Sequence, residues 1–396
     1  MKITFFSDYL NHHQLPFCLK MSELLGEDFK FISTVAMQEY RVQLGYKDLS
    51  KDFPFVITTY DSEENEQEAM RLAIESDVVI HGMASEKYVK ARMKLNKLTF
   101  RYSERIFKSG KWHILSPRVM SLLLKNHVRY NKKNMYVLCA SAYTAGDFAF
   151  GGAYKGKTYK WGYFPEVKKY DNIDELIEKK DPVSILWVGR LINCKKPEVP
   201  IIIAKRLKDE GYNFKLNIIG IGEKEEKIRQ MITSFGLNDC VCMLGSMSPA
   251  EVREHMEKSS VYLFTSNFNE GWGAVLNESM NSGCAVVASH AIGSVPFLVE
   301  DGKNGFIYKN GDIDDLYRKV KKLLDNPAVA KEMGKNAYNT LCEIWNAEKA
   351  ADRIIKLSYQ ILSGDKYPDL YKFGPCSKAE CFNNNRLKVE GKNERR

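Results

Sequence analysis

Glu270 and Glu278 stand eight residues apart in the run FNEGWGAVLNESMNSGCAVVAS. Residues 261–265 and 284–288 read as strands, with a glycine-rich turn over 269–273 and a short helix through Glu278 to Met280 between them. On this reading Glu270 lies at a helix N-terminus beside Gly271 and Gly273, where backbone N–H groups are free to meet an anion or a sugar. Eight residues at about 3.6 per turn bring Glu278 back to nearly the same face. Two carboxylates aimed at one crevice suit two sets of sugar hydroxyls, one on a ribose and one on a hexose. The plain alternative is a solvent-facing helix carrying surface glutamates. Ala274, Val275, Leu276 and Met280 make the helix largely apolar, which argues against that alternative, because a buried carboxylate needs partners.

Two cations belong to the same chemistry. ValGlyArgLeu (188–191) followed by Lys195 places Arg190 and Lys195 in the loop after an apolar run at 184–188. At a strand's carboxyl end such cations hold a diphosphate and neutralise charge on a leaving group. GlyIleGly (220–222) ends the next strand, and Gly222 permits close backbone approach. A tight turn explains it equally well, since the third glycine and later acid of the dinucleotide fingerprint are missing. Asp312-Ile313-Asp314 matches an Asp-x-Asp metal motif, but it precedes a helical segment where Asp serves as cap and first-turn charge. No metal site is assigned.

These loops need a frame of strands and helices. In the first half, apolar runs at 1–6, 29–35, 55–59, 78–81 and 135–140 alternate with helical segments such as 16–25 and 67–76. The second half repeats the pattern with runs at 184–188, 215–219, 241–244, 261–265 and 284–288. Such alternation predicts an α/β chain with two doubly wound parallel sheets. Residues 150–160 read as a Gly- and Tyr-rich loop, 161–166 as a linker, and the charged stretch to Asp181 shows no core pattern. Ser248-Pro249-Ala250-Glu251 is a capping box. The expected domains are 1–164, 165–345, a C-terminal helix over 346–377 returning to the N-terminal domain, and a disordered tail over 378–396. Ligands of such folds bind at the strand ends.

A chain of 396 residues exceeds what one core usually organises. No stretch approaches the roughly 20 apolar residues of a membrane span, and the start turns polar too soon for a leader's apolar core. The nine cysteines are scattered without zinc spacing, as expected of a reduced, cytoplasmic protein. The net charge of +9 is uneven: residues 84–133 hold fourteen Lys/Arg against Glu86 and Glu104. A solvated face, a nucleic-acid patch and an anionic lipid surface all account for this. Interleaved Tyr88, Phe100, Phe107, Trp112 and Leu122–Leu124 favour lipid, and no nucleic-acid-binding signature is present.

The second half resembles the retaining glycosyltransferases of family 4, which have the GT-B fold of two Rossmann-like domains facing across a cleft. The matching elements are GlyArgLeu…Lys (189–195), GlyIleGly (220–222), LeuGly (244–245), GluGlyTrpGly-x4-Glu (270–278), GlyCysAlaValValAla (283–288) and AspGlyLysAsnGlyPhe (301–306). The resemblance implies that Arg190 and Lys195 bind a donor's diphosphate, Glu270 its hexose and Glu278 its ribose. Amides around Gly271, Trp272, Gly273 and Ala274 then reach sugar or phosphate. It also implies a UDP- or GDP-sugar donor and no required cofactor, while the basic first half suggests a lipid-diphosphate-linked acceptor, with a soluble saccharide as the alternative. The reaction expected is hexose transfer in bacterial cell-surface polysaccharide synthesis, with peripheral attachment at the inner face of the plasma membrane. The alternatives are a non-catalytic nucleotide-sugar-binding subunit and a GT-B epimerase. The first half matches less well. AsnHisHisGln (11–14) replaces the family's Gly-Gly, making His12 and His13 candidates for acceptor or diphosphate contact. PheArgTyrSerGluArg (100–105) lacks the family's histidine, so Ser103 and Glu104 become candidates, with His81 a further one.

Overall fold

A computed structural model describes residues 1–38 and 47–382 of the chain. It comprises two units, Met1–Glu166 with Trp345–Asn383, and Val167–Ile344. In the first, β1 (Ile3–Ser7), β2 (Phe29–Ser33), β3 (Val56–Thr58), β4 (Val78–His81), β5 (Leu98–Ser103), β6 (Met135–Cys139) and β7 (Thr158–Lys160) form one sheet. Its order is β3-β2-β1-β4-β5-β6-β7, and every pairing is parallel. The second unit pairs β8 (Asp181–Val188), β9 (Lys215–Ile219), β10 (Val241–Gly245), β11 (Ser259–Phe264), β12 (Ala285–Ser289) and β13 (Phe306–Tyr308) in the order β10-β9-β8-β11-β12-β13, again parallel.

Both sheets are doubly wound, as the alternation predicts. The apolar runs become central strands because helices cover both faces, so nearly every side chain along β1, β4, β6, β11 and β12 is buried. The strand order of each sheet reverses once, between β1 and β4 and between β8 and β11, and ligands of such folds bind at the carboxyl ends of strands flanking that reversal.

Caps set the helix starts. Ser62 begins the Glu63–Glu75 helix four residues before the apolar pattern shows it, by accepting the Asn65 N–H at 3.1 Å. The capping box at Ser248 is formed, with the Glu251 carboxylate returning to the Ser248 N–H at 2.8 Å. Asp312 caps Ile313–Asp325 and accepts the Asp315 N–H at 2.9 Å. Among the described residues no helix is long and apolar enough to cross a membrane, and no group of three His, Cys, Asp or Glu could hold a metal ion.

Three readings need correction. Residues 161–166 are not a free linker: Trp161 and Phe164 are buried and pack on each other and on Phe17. The 150–160 loop contains β7, too short and polar to announce itself. The tail is not disordered from residue 378. Lys160 donates to the Ser377 carbonyl at 2.7 Å, Cys376 to Lys160 at 2.8 Å and Ala379 to Thr158 at 3.0 Å, so this segment lines the β7 edge. Beyond residue 382 the expected disorder lies outside the described residues. The Ala347–Leu362 helix packs on Leu15–Leu25 within the first unit.

Candidate functional site

The second unit gathers its candidates at the β8/β11 reversal. β8 runs into Gly189, whose N–H donates to Ile219 at 3.0 Å, and Leu191 donates to Ile221 at 2.9 Å. This pairing holds the loops after β8 and β9 together, and it needs Gly220: at φ 134°, a Cβ there would lie 2.0 Å from the Gly189 carbonyl oxygen. At Gly222 a Cβ would lie 2.7 Å from the Leu191 carbonyl oxygen, so both glycines are required by the fit of two loops. Arg190 is exposed at the tip.

Lys195 turns inward. Its Nζ donates to Glu270 Oε2 at 2.5 Å, with the side chains only 15% and 13% exposed. Three further bonds lock the loops that carry this pair. Trp187 Nε1 donates to Thr265 Oγ1 at 2.9 Å, Thr265 donates on to the Lys195 carbonyl at 2.8 Å, and Asn267 donates to the Cys194 carbonyl at 2.9 Å. Charge-assisted bonds in partly dry surroundings are among the stronger ones.

Glu270 does not lie on the helix with Glu278. The helix spans Val275–Asn281, whereas Glu270 closes a turn through its N–H to Asn267 at 3.0 Å. Gly273 separates them at φ 81°, where a Cβ would meet the Phe264 ring at 2.5 Å. The eight-residue spacing therefore works through a loop reversal and not through helical periodicity. Trp272 points into the core, its Nε1 donating to Asn277 at 2.9 Å, so it offers backbone rather than indole. Ala274 forms the cap position ahead of the helix.

Glu278 is half-buried, and no described residue donates a hydrogen bond to its carboxylate. Burial pushes its carboxyl up to about 7, against a lowering pull from Arg253. The buried Tyr262 phenol feels both Glu278 and Glu270, is itself pushed well up by burial, and donates to the Val188 carbonyl at 3.3 Å.

In the first unit, His13 and Glu104 come together through a residue that sequence reasoning missed. Asn11 Oδ1 accepts the N–H groups of His13 and Gln14 at 3.0 and 3.1 Å, fixing the turn before Leu15–Leu25. The His13 ring stacks on Tyr163 at 5.7 Å and meets His12 at 3.7 Å. Tyr163 donates its hydroxyl to Glu104 Oε1 at 2.6 Å, and Lys108 donates to Oε2 at 2.6 Å. Burial, then Glu104, push the Tyr163 phenol well up. The aromatic density of TrpGlyTyrPhe was the available signal, hidden by the linker reading. Ser103 bonds the Glu104 carbonyl at 2.7 Å. His81 stands apart: buried, 3.2 Å from the Ser85 carbonyl and pushed down to about 4 by burial and Arg101, it is a packed neutral ring.

The basic segment also divides. Arg92 is fully buried and donates to the carbonyls of Ala73, Ser76, Asp77 and Leu98. Arg101 grips Glu86 with both terminal nitrogens, Arg105 pairs with Asp147 at 3.3 Å, and Tyr88, Phe100 and Phe107 are core. The expected single surface over 84–133 is therefore not formed.

Residues 169–340 match the family of Glycosyl transferases group 1. An uncharacterized glycosyltransferase, MJ1069, of Methanocaldococcus jannaschii is 25% identical over 304 residues, covering 74% of this chain and 71% of that one. The putative colanic acid biosynthesis glycosyltransferase WcaL of Salmonella typhimurium is 32% identical over 140 residues, and the match spans only 34% of either chain. Among solved structures, Anabaena Alr3699/HepE in complex with UDP superimposes with a TM-score of 0.64 at 18% identity, covering 92% of this chain and 99% of that one. The fold is that of the GT-B glycosyltransferases, two Rossmann-like parallel-sheet domains. The group 1 match falls within the second unit, and with the glycosyltransferase relatives it supports an enzyme of the transferase class.

Proposed function

We propose that the protein is a retaining family 4 enzyme that transfers a hexose or related sugar from a nucleotide-diphosphate sugar to a saccharide or lipid-diphosphate-linked acceptor. The observation that carries this reading is the assembly at the β8/β11 reversal: Lys195 paired with Glu270, Arg190 open at the tip, and a Glu278 carboxylate to which no described residue donates. Arg190 and Lys195 take the diphosphate, Glu270 the hexose hydroxyls and Glu278 the ribose, with amides from Gly271 through Ala274 serving sugar or phosphate. Gly222 holds the facing loop. The bond from the anomeric carbon to phosphate breaks as the acceptor oxygen attacks from the same face, and the acceptor proton passes to the departing phosphate, whose charge the two cations stabilise. In the first unit His13 contacts the acceptor, and Glu104 positions it through the Tyr163 hydroxyl and ring.

The likeness to a colanic acid biosynthesis glycosyltransferase supports a role in bacterial cell-surface polysaccharide assembly, with cytoplasmic chemistry on a UDP- or GDP-sugar. Thermal-shift screening of UDP-, GDP- and ADP-sugars identifies the donor through concentration-dependent stabilisation. Anomeric analysis of the product then tests retention. An inverted product, or steady donor conversion without any acceptor, sinks the reading. Glu270→Ala should abolish transfer with the fold intact, and sustained turnover in that variant would remove the site assignment.

A further inference from the structure

Residues 105–146 contain eight Lys/Arg and no Asp or Glu. Arg105 is used internally, but most of the others lie outside the core. Within this stretch a tight turn over Lys111–Leu115 leads into the helix Pro117–Asn126. Trp112 and Leu115 are 64% and 81% exposed, and Leu122 and Leu124 are 50% and 48% exposed. The helix is held by one buried residue, Leu123, whose methyl groups occupy the space beside Gly151. At about 100° per residue, Leu122 and Leu124 leave the helix on opposite sides of Leu123.

A surface helix ordinarily turns its apolar stripe inward. This one turns leucines outward on two sides, with exposed Arg118 and Lys125 beside them. Nucleic acid would call for the cations but not the leucines. A protein partner would call for the leucines, but a patch with no acid in the surrounding sequence favours a partner of uniformly negative charge. Apolar side chains ringed by cations complement an anionic bilayer surface, where acyl chains lie beneath negative headgroups. A tryptophan suits that boundary, and Trp112 already satisfies its own N–H on the Ser109 carbonyl at 3.1 Å.

We propose that this face docks on an anionic lipid bilayer, with the Lys111–Leu115 turn and the Pro117–Asn126 helix seated in the headgroup layer. The inference goes beyond the catalytic reading, since it needs neither donor nor acceptor. The full chain is sedimented with vesicles of phosphatidylglycerol and phosphatidylcholine, or of phosphatidylcholine alone, at about 0.05 and 0.5 M salt. Binding to the anionic vesicles at low salt should exceed binding to neutral vesicles, or at high salt, by about tenfold or more. Leu115→Asp combined with Leu122→Asp, and separately Arg118→Glu combined with Lys125→Glu, should each lower binding about tenfold with the thermal midpoint and circular dichroism unchanged. Four results overturn the proposal: no salt-sensitive vesicle binding by the wild type, equal binding to neutral vesicles, undiminished binding by folded variants, or a wild-type dimer that the leucine variant dissolves.

Discussion

Two carboxylates in this protein sit near the ends of comparable sheets and are treated in opposite ways. Glu104, after β5, receives the Tyr163 hydroxyl on one oxygen and the Lys108 ammonium on the other, both at 2.6 Å. Glu278, in the second unit, is half-buried, and its carboxylate receives no hydrogen bond from any described residue. Fold alone accounts for the first, because its partners are supplied from within. Fold alone leaves the second at a cost, since a desolvated acceptor without donors is destabilising. Glu270 stands between them, with one oxygen on Lys195. The contrast separates a carboxylate that completes a structure from one that waits for hydroxyls brought from outside.

The sharpest way to break this comparison is Glu270→Gln. Transfer should fall by about 10³-fold or more. Calorimetry should show nucleoside diphosphate alone binding more tightly than to wild type, because Lys195 no longer has to leave a carboxylate, while sugar nucleotide binds less tightly. A parallel loss for both ligands would mean that the ion pair persists in the complex.

Glu278→Gln comes next, through its pH dependence. The folded carboxyl titrates near 7 against an ordinary 4.5, so the neutral form is the favoured one. The favourable contribution is complete below about pH 4.5 and is lost as pH rises through about 7. Chemical denaturation should therefore find the variant more stable than wild type at pH 8, by on the order of 2–3 kcal/mol, and level with it near pH 4.5. A gap that does not vary with pH would remove Glu278 from the class of waiting groups. Donor affinity should fall at the same time.

Tyr163→Phe keeps the ring against His13 and removes the hydroxyl from Glu104. Stability should drop by about 1–2 kcal/mol, with a severalfold loss in kcat/KM for the acceptor. A stability loss with unchanged acceptor kinetics would make the N-terminal cluster purely architectural. Asp312→Ala should have the smallest effect: about 1 kcal/mol from the lost cap and activity equal to wild type. Impaired turnover there would restore the Asp-x-Asp motif to the chemistry.

The doubly wound architecture was legible because strands buried on both faces must be written as apolar runs. The β8 and β11 loops were legible as well, since a cation or carboxylate beside glycines at a strand end is an uncommon combination. What escaped were features decided by backbone geometry or by distant partners. Gly273 ends any helical path from Glu270, yet it reads as one more glycine in a turn. Tyr163 acquires its role from Glu104, 59 residues earlier, and nothing local marks it. Arg92, Arg101 and Arg105 look like surface charge until buried carbonyls and carboxylates claim them. The basic surface reading, drawn too wide, thus contracts to the stretch around Trp112 and Leu122.

The pairing of residues 376–379 with β7 bears on how the protein is made. Trp345–Asn383 belongs with Met1–Glu166, while Val167–Ile344 is inserted between them. During synthesis the inserted unit emerges as one uninterrupted segment and has all its strands before the ribosome reaches Trp345. The earlier unit exposes the open edge of β7 throughout that interval, and an open edge invites pairing with other chains. The unit that begins the chain is therefore the one completed last, and the segment over 376–379 is its closing strip.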